Sequence, residues 1–506
     1  MSPVIQNRSS RWARVTVVAA VTVVAGAVFA SWAQRSKPEL SPWHTVDLEH
    51  EFEAADGRGG FDWEDYLALE DRLFEELDEQ VVRNRDSRAE PAWNRYASGG
   101  VNNPAGFPRN WNRSYELRGV AERGGALLLH GLTDSPYSLR RAAEILHSEG
   151  HHVVGLRLPG HGTTPGELQR AEVDDWRAAA RMAYRHLERT VGPSGEIIVV
   201  GYSNGGALAV DLVLDSLADD ELRTPDRIIL FSPAIGITRL AALARAHRIV
   251  SFMPWFSRLA WTDIQPESDP FKYNSFPADA GYQTHLLTRS IRRRLAELEM
   301  QQVSSRFPPV LTFMSLADAT VLVEAVVEGL YDRLTGPEHE LVIFDINRKA
   351  KMRDFFRTDP AARLQMLIER PTTPYRLTAV TNLDESSASL QVWSRPGGAR
   401  EAEVEALDLE WPRGVYSLSH VALPFPVDDP IYGLEPDPDN LFGVQLGTLE
   451  PRGERGLLAV PPATFIRLRC NPFHDYVERR LREAVGGGTR GRRTLRPRTP
   501  SNRARA

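Results

Sequence analysis

A serine flanked by glycines stands near the middle of the sequence, in the run Gly201-Tyr202-Ser203-Asn204-Gly205. Residues 197–200 before it are all β-branched and predict a short buried strand. Residues 207–214 after it are almost all apolar and predict a buried helix. Gly-x-Ser-x-Gly between a strand and a helix is the pattern of a nucleophile elbow, a sharp turn that exposes a reactive hydroxyl. We therefore predict that Ser203 is a nucleophile; the alternative is a glycine-rich turn with an incidental serine.

A serine hydroxyl becomes reactive when a neighbouring base takes its proton and a third group orients that base. Asp318 follows a predicted strand at residues 309–315 and is our predicted acid, although an aspartate there also suits a helix N-cap. Asp345 ends another predicted strand and is the fallback. Only two histidines follow Asp345, namely His420 and His474. We predict that His420 is the base because it lies on a loop that can reach over the serine.

Acyl transfer also needs two backbone N–H donors for the developing oxyanion. We predict that these are the amides of Asn204, next to the nucleophile, and of Leu132, in the loop after an apolar strand at residues 126–129. His130 and His161 each precede a glycine and are predicted to order their turns rather than to act as bases. No His-Glu-x-x-His, Walker-type or dinucleotide-binding pattern occurs, so we expect neither a metal nor a nucleotide cofactor.

The elements around these residues alternate between strand and helix from residue 111 onward, which indicates a mostly parallel sheet covered on both faces. Two stretches interrupt the alternation. Residues 238–306 are rich in aromatic side chains and far longer than an ordinary connection, which predicts a cap. Residues 348–413 form a second insertion, with strand patterns at residues 375–381 and 389–393.

The N-terminus carries a 19-residue uncharged run, residues 15–33, behind a basic segment at residues 1–14. It predicts a transmembrane anchor; the alternative is a signal peptide that is cleaved, so that the protein is secreted. The basic side should stay in the cytoplasm, which places the catalytic domain on the periplasmic side of a bacterial inner membrane. Residues 34–110 read as a polar extension with one amphipathic helix, and residues 484–506 as a basic disordered tail.

The overall composition is ordinary for a globular protein, with 42% hydrophobic and 25% charged residues. The net charge of -6 argues against bulk nucleic-acid binding. The one cysteine, Cys470, excludes an intramolecular disulfide framework and a cysteine-rich metal site.

Five motifs in this order resemble those of the α/β-hydrolases, especially the carboxylesterase and monoacylglycerol-lipase type. They are Leu127–Gly131, Leu158–Gly162, Gly201–Gly206, Asp318–Val321 and Ser419–Val421. The resemblance covers residues 111–476, within a hydrolase domain at residues 111–483. It implies a mostly parallel eight-stranded sheet flanked by helices, with the cap after the sixth strand. It also maps Ser203, Asp318 and His420 onto a catalytic triad, and Leu132 and Asn204 onto the oxyanion amides. The insertion before His420, the N-terminal helix and the membrane segment depart from the family pattern.

The function implied by this resemblance is a serine hydrolase that cleaves a small-molecule or lipid carboxylic ester through an acyl-enzyme. An aromatic-rich cap suits an apolar acyl or aryl group. An acyltransferase or a serine peptidase would use the same triad. A catalytically inactive, membrane-anchored binding or scaffold protein on the same fold is the alternative from a different class, because a fold alone does not guarantee activity.

Overall fold

The computed structural model of the 506-residue chain describes residues 16–18, 34–83, 90–119, 123–236, 254–302, 304–351, 355, 359–448 and 467–486. The predicted transmembrane segment at residues 15–33 lies outside them except for three residues. The first part of the predicted cap, residues 238–253, and nearly all of the predicted tail also lie outside them. Among the described residues, no helix combines the length and apolar character needed to cross a membrane.

A ten-stranded sheet forms the centre of the described chain, with the strand order β1-β3-β2-β4-β5-β8-β9-β10-β11-β12. All neighbours from β3 to β10 are parallel, whereas β1, β11 and β12 pair antiparallel. Two further strands, β6 and β7, pair with each other within the predicted cap. The strands are β1 Tyr115–Leu117, β2 Gly124–Leu129, β3 His152–Leu156, β4 Glu196–Tyr202, β5 Arg227–Phe231, β6 Trp261–Asp263, β7 Phe276–Pro277, β8 Val310–Ser315, β9 Glu340–Phe344, β10 Arg376–Asn382, β11 Ser389–Arg395 and β12 Glu403–Glu410.

Helices cover both faces of this sheet, as the alternation of elements predicts. Side chains of one strand alternate between two apolar clusters: Leu127 and Leu129 of β2 belong to one, Ala126 and Leu128 to the other. Strands buried on both faces read as continuous apolar runs, which is why the central strands could be located from the sequence. The helices of eight or more residues are α1 Trp63–Leu77, α2 Arg140–Ser148, α3 Val173–Val191, α4 Asn204–Ala218, α5 Ala278–Met300, α7 Pro360–Ile368 and α8 His474–Val485, and the shorter α6 is Val323–Gly329.

The amphipathic helix predicted in the N-terminal extension is α1. An N-terminal capping box starts it, in which the Asp62 carboxylate accepts from the Asp65 amide at 3.1 Å. Its inward-facing Trp63 and Tyr66 are buried in the same apolar cluster as α3 and α4. The extension therefore packs directly on the α/β core.

The predicted number of eight strands is wrong, because the insertion at residues 348–413 adds strands to the sheet. β10 continues the parallel order beside β9, and β11 and β12 return antiparallel. The strand patterns at residues 375–381 and 389–393 match β10 and β11, but β12 is exposed along most of its length. Its sequence does alternate, with Val404, Leu407 and Leu409 between acidic residues, and Leu407 and Leu409 pack against the core. The pattern for this strand was therefore present in the sequence, although we did not predict it. The cap also follows the fifth strand, β5, rather than the sixth.

The second half of the predicted cap is the helix α5, which packs against α4 and α3. Leu287, Ile291 and Leu295 on its inner face join the main apolar cluster. The Thr288 hydroxyl donates to the carbonyl of Ala234, just past β5, at 3.0 Å. This helix is therefore part of the core that supports the sheet.

Candidate active site

Ser203 occupies the turn between β4 and α4, with φ of 52° and ψ of -113°. A positive φ is strained for a residue with a side chain and persists only where surrounding contacts impose it. Here the Ser203 amide donates to the carbonyl of Phe231 at 2.9 Å. The Ser203 carbonyl accepts from the amides of Ala207 and Ala234 at 3.1 and 2.8 Å. These bonds fix the elbow between two strands and a helix.

The two glycines of the motif allow strand and helix to approach. A Cβ on Gly201 would lie 2.5 Å from the carbonyl oxygen of Gly205. A Cβ on Gly205 would collide with the carbonyl oxygens of Leu129 and His130. The start of α4 therefore lies directly against the loop that follows β2.

Asp318 and His420 are joined by a hydrogen bond of 3.0 Å between Oδ1 and Nδ1. The same carboxylate oxygen accepts from the amides of Thr320 and Val321 at 2.8 and 3.1 Å. Burial works to raise the pKa of Asp318, but the charge of His420 and these hydrogen bonds outweigh it and lower that pKa. The N-cap of the following helix is Leu322, so Asp318 does not hold the alternative capping position.

The loop that carries His420 is tied to the ends of two central strands. The Ser315 hydroxyl, at the end of β8, donates to the carbonyl of Leu418 at 2.9 Å. Asn347 follows β9, and its backbone N–H donates to the carbonyl oxygen of Tyr416 at 2.9 Å. Its side-chain amide donates to the carbonyl oxygen of Val415 at 2.8 Å. Asp318 and His420 are 102 positions apart in the sequence. The chain between them extends the sheet and then returns to the same sheet edge.

Ser203 lies at this edge as well, since β4, β5 and β8 are parallel neighbours and Ser203 follows the end of β4. The described hydrogen bonds join Asp318 to His420 but include none from the Ser203 hydroxyl. Hydrogen bonds between a nucleophile and its base are often long in sites without substrate.

The two predicted oxyanion amides lie on the touching segments described above. Asn204 is the first residue of α4, where a backbone N–H has no acceptor within its own helix. Leu132 lies in the loop after β2, and its amide donates no backbone hydrogen bond to another described residue. The neighbouring Thr133 has φ of 67°, and its carbonyl accepts from the Tyr273 amide at 2.8 Å. Both N–H groups thus remain available beside the elbow.

His130 and His161 have structural partners. The amide of Leu158 donates to Nε2 of His130 at 3.0 Å, so the proton of this ring is on Nδ1, 2.9 Å from the carbonyl of Gly131. Burial lowers the pKa of His130 well below its usual value and that of His161 to about 4. His130 thus links the loop after β2 to the loop after β3.

Asp345 and His474, the alternatives for the acid and the base, have other contacts. Asp345 accepts from Nε of Arg348 and from the Thr381 hydroxyl, both at 2.7 Å. His474 begins α8 and is buried, which lowers its pKa to about 4. The described hydrogen bonds connect neither residue to His420.

A pocket of about 150 Å³ beside His420 is lined by charged residues that the sequence analysis did not single out. Lys272 pairs with Asp134, and Arg469 with Asp269, each at 3.0 Å. Arg467 lies 3.1 Å from Nδ1 of His420 and has no carboxylate partner among the described residues. These residues come from the loop after β2, the predicted cap and the C-terminal segment. They are therefore too far apart in the sequence to form a recognisable motif.

Residues 121–346 match the model of a family described as serine aminopeptidase, S33, which is a little under half of the chain. The thermostable monoacylglycerol lipase of Bacillus sp. (strain H-257) is 38% identical over 94 residues. That segment is 18% of this chain and 36% of the relative, so the match spans about a third of the relative's length. The fold is that of an α/β-hydrolase.

Two solved structures of lipolytic enzymes are similar to part of this chain. One, from work on the metagenome-derived lipolytic enzymes LipS and LipT, is 28% identical and covers 47% of this chain and 88% of its own, with a TM-score of 0.36. The monoacylglycerol lipase of Paleococcus ferrophilus is 19% identical and covers 46% of this chain and 89% of its own, with a TM-score of 0.35. The chain resembles hydrolases of the carboxylesterase and monoacylglycerol-lipase type.

Proposed function

We propose that this protein is a serine ester hydrolase whose triad is Ser203, Asp318 and His420. The observation that carries the proposal is the Asp318–His420 hydrogen bond, made at the same sheet edge as a serine held in an elbow. A histidine whose Nδ1–H is bound by a carboxylate presents Nε2 as a base. The similarity to a monoacylglycerol lipase agrees with ester chemistry.

The proposed reaction uses each group at one atom. Nε2 of His420 takes the proton of the Ser203 hydroxyl as its oxygen attacks the ester carbonyl carbon. The backbone N–H groups of Leu132 and Asn204 stabilise the oxyanion that forms. His420 then gives its proton to the departing alcohol, which leaves an acyl-enzyme on Ser203. Water, deprotonated by His420, attacks that acyl group and releases the carboxylic acid and the free serine.

The pocket beside His420 combines charged residues with the aromatic and apolar side chains of Tyr273, Val421, Phe425 and Tyr432. The pocket contains three cations, Lys272, Arg467 and Arg469, and two carboxylates, each paired with a cation. The lining therefore suits an ester that has an apolar acyl or aryl part, and Arg467, which has no carboxylate partner among the described residues, adds a contact for a polar or anionic group.

An aminopeptidase is the second candidate, because the matched family model carries that description. Such an enzyme binds the positively charged amino terminus of a peptide, for which a carboxylate is the natural partner. Both pocket carboxylates, Asp134 and Asp269, are already paired with cations. The pocket therefore supports an ester substrate better than a peptide amino terminus.

Labelling with a fluorophosphonate probe tests the nucleophile. We expect the full chain to be labelled and Ser203→Ala to be unlabelled, with Ser232→Ala as the control that keeps labelling. A folded wild-type protein that resists the probe would contradict the proposal. Matched esters and aminoacyl amides, each in a neutral and an anionic form, then separate the esterase from the aminopeptidase.

We also propose that residues 15–33 anchor the chain in a bacterial inner membrane, with the hydrolase on the periplasmic side. The support is the uncharged run behind a basic segment. Fractionation of cells that produce the full chain, followed by protease treatment of spheroplasts, tests both parts. Release of a shortened chain into the soluble fraction would favour signal cleavage instead.

A further inference from the structure

Three side chains converge at the edge of the sheet where β1 lies. Glu116 belongs to β1, His152 to β3 and His186 to α3. Nε2 of His152 lies 2.6 Å from Oε1 of Glu116, and Nε2 of His186 lies 3.1 Å from the same oxygen. The three atoms all lie within 4.8 Å of one another. Two imidazole nitrogens thus point at one carboxylate oxygen.

The fold holds each of these side chains in place. Glu116 pairs with Val154 across the antiparallel β1–β3 ladder, so His152 lies two positions along on the same face. His186 reaches this face from α3, and its ring stacks on Trp63 of α1 with centroids 5.5 Å apart. The side chains of His152, His186 and Glu116 are only 5%, 12% and 18% exposed. The cluster is therefore preorganised by four elements.

We propose that Glu116, His152 and His186 bind a divalent transition metal ion, Zn²⁺ being the best fit. Two imidazoles and a carboxylate are ligands that zinc prefers, at about 2.0–2.2 Å. In tetrahedral coordination these bond lengths place ligand atoms about 3.3 Å apart. The Glu116 Oε1 atom lies 2.6 Å from Nε2 of His152 and 3.1 Å from Nε2 of His186. Each of these two distances must lengthen by less than about 1 Å to admit the ion. Water fills the fourth position.

The charges around the cluster permit this ion. Glu116 supplies the one carboxylate of the cluster, which attracts a divalent cation. On binding, the metal takes the place of the protons on the two Nε2 atoms that face Oε1. Each of these protons moves to Nδ1 of its own ring. Arg118 is the cation nearest to the carboxylate, 3.8 Å from Oε2, and its side chain is 85% exposed. It can turn into solvent when the metal enters.

The site is separate from the proposed active site. His152 starts β3, and the catalytic residues lie beyond the opposite, carboxyl-terminal ends of the parallel strands. The metal joins the short edge strand β1 to α3 and so stabilises the contact between these two elements. Its existence does not depend on the proposed esterase function.

Isothermal titration of the chelator-treated full chain with ZnCl₂ tests the site. We expect one saturable ion per chain with a dissociation constant on the order of micromolar or tighter. Glu116→Gln, His152→Gln and His186→Gln should each weaken binding by at least about tenfold, because each removes a ligand. Zinc should also raise the melting temperature of the wild type but not of these variants.

His50→Gln provides the matched control, since His50 pairs with Glu76 at 2.8 Å and no third ligand joins them in the part of the chain that the structure describes. This variant should bind zinc as the wild type does. Melting curves without metal show which variants fold, and Glu116→Gln keeps the shape of the site. Binding that is only millimolar, or that survives all three ligand substitutions, would overturn the proposal. Fluorophosphonate labelling should be the same with and without zinc, so failure of the metal site is distinguishable from failure of the esterase function.

Discussion

At the scale of single residues, one oxygen of Asp318 organises the candidate triad. Oδ1 accepts three hydrogen bonds, from His420 and from two backbone amides, whereas Oδ2 is buried without a partner among the described residues. The backbone amides fix the carboxylate independently of the histidine. The carboxylate therefore orients the imidazole rather than being oriented by it.

Asp318→Asn should preserve this shape but lose the charge that favours Nδ1–H on His420. The amides of Thr320 and Val321 keep the asparagine oxygen facing Nδ1, so the imidazolium that forms during proton transfer loses the negative charge that stabilises it. We expect kcat for a model ester to fall on the order of 10⁴-fold, with a nearly unchanged melting temperature. Steady-state kinetics and thermal melts check this; full activity in the variant would exclude Asp318 as the acid.

Gly205→Ala should destabilise the fold, because the new methyl group meets the carbonyl oxygens of Leu129 and His130. Overpacking of this kind typically costs about 1–3 kcal/mol of unfolding free energy. Gly106→Ala is the control, since a Cβ there meets nothing within 4 Å and the backbone is not in the left-handed region. Urea unfolding compares the two, and equal stabilities would show that the elbow can yield.

At the scale of elements, the sheet continues well beyond β9 before the chain returns with His420. What holds the returning loop is a set of hydrogen bonds from the ends of β8 and β9, not its position in the sequence. The insertion could therefore grow without displacing the histidine. The edge that carries the candidate triad is therefore defined by strand ends.

Ser315→Ala tests this attachment, because it removes the buried hydroxyl that binds the carbonyl of Leu418. A carbonyl left unpaired costs about 1–3 kcal/mol, and the loop should shift. We expect kcat to fall by about tenfold or more, since a small displacement of a base is expensive, while KM changes little. Ser389→Ala, which loses an exposed hydrogen bond to Glu410, should leave kcat unchanged. Equal kcat values for Ser315→Ala and wild type would contradict this role for the loop.

Elements buried on both faces and short motifs could be predicted from the sequence, but contacts between distant segments could not. The strands β2 to β5 appear as apolar runs, and the Ser203 elbow is local. By contrast, the cations Lys272 and Arg467 come from distant segments and meet only in the folded chain. Glu116, His152 and His186 are likewise spaced too irregularly to form a motif. Their proximity depends on strand order, which no single segment encodes.

At the scale of the whole molecule, the N-terminal extension is bound into the α/β core through a buried arginine. Arg157, just past β3, is 1% exposed and makes two hydrogen bonds of 3.0 Å to Glu51 and one of 3.3 Å to Glu70. Its carbonyl accepts from the Tyr66 hydroxyl at 2.7 Å. Residues 34–83 and the core therefore stabilise each other.

Glu70→Gln should destabilise the whole molecule, because it removes one of the charges that neutralise Arg157. Because Glu51 still pairs with Arg157, the weakened contact should cost about 1–3 kcal/mol. Glu64→Gln, on the exposed side of the same helix, should change the unfolding free energy by less than about 0.5 kcal/mol. Urea unfolding measures both. Similar stabilities would show that the extension contributes little to the core.

The stability should also depend on pH through Glu167, which accepts from the Leu48 amide of the extension at 3.0 Å. Burial, followed by the charge of Glu51, raises the pKa of Glu167 to about 8, and Arg170 offsets this only in part. Because its pKa is higher in the folded state, the folded protein binds the Glu167 proton more tightly than the unfolded chain does. The resulting stabilisation is complete below the unfolded pKa of about 4.3. It is then lost as pH rises toward 8. Melting temperatures across this range should fall less for Glu167→Gln than for wild type; parallel curves would contradict this assignment.

The exposed strand β12 has a consequence for how two copies of the protein meet. It forms the outer edge of the ten-stranded sheet, where unpaired backbone groups invite another strand. Its sequence places carboxylates along this edge, at Glu403, Glu405, Asp408 and Glu410. If the β12 strands of two copies came together, their carboxylates would repel each other. The insertion that lengthens the sheet thus also protects it against self-association.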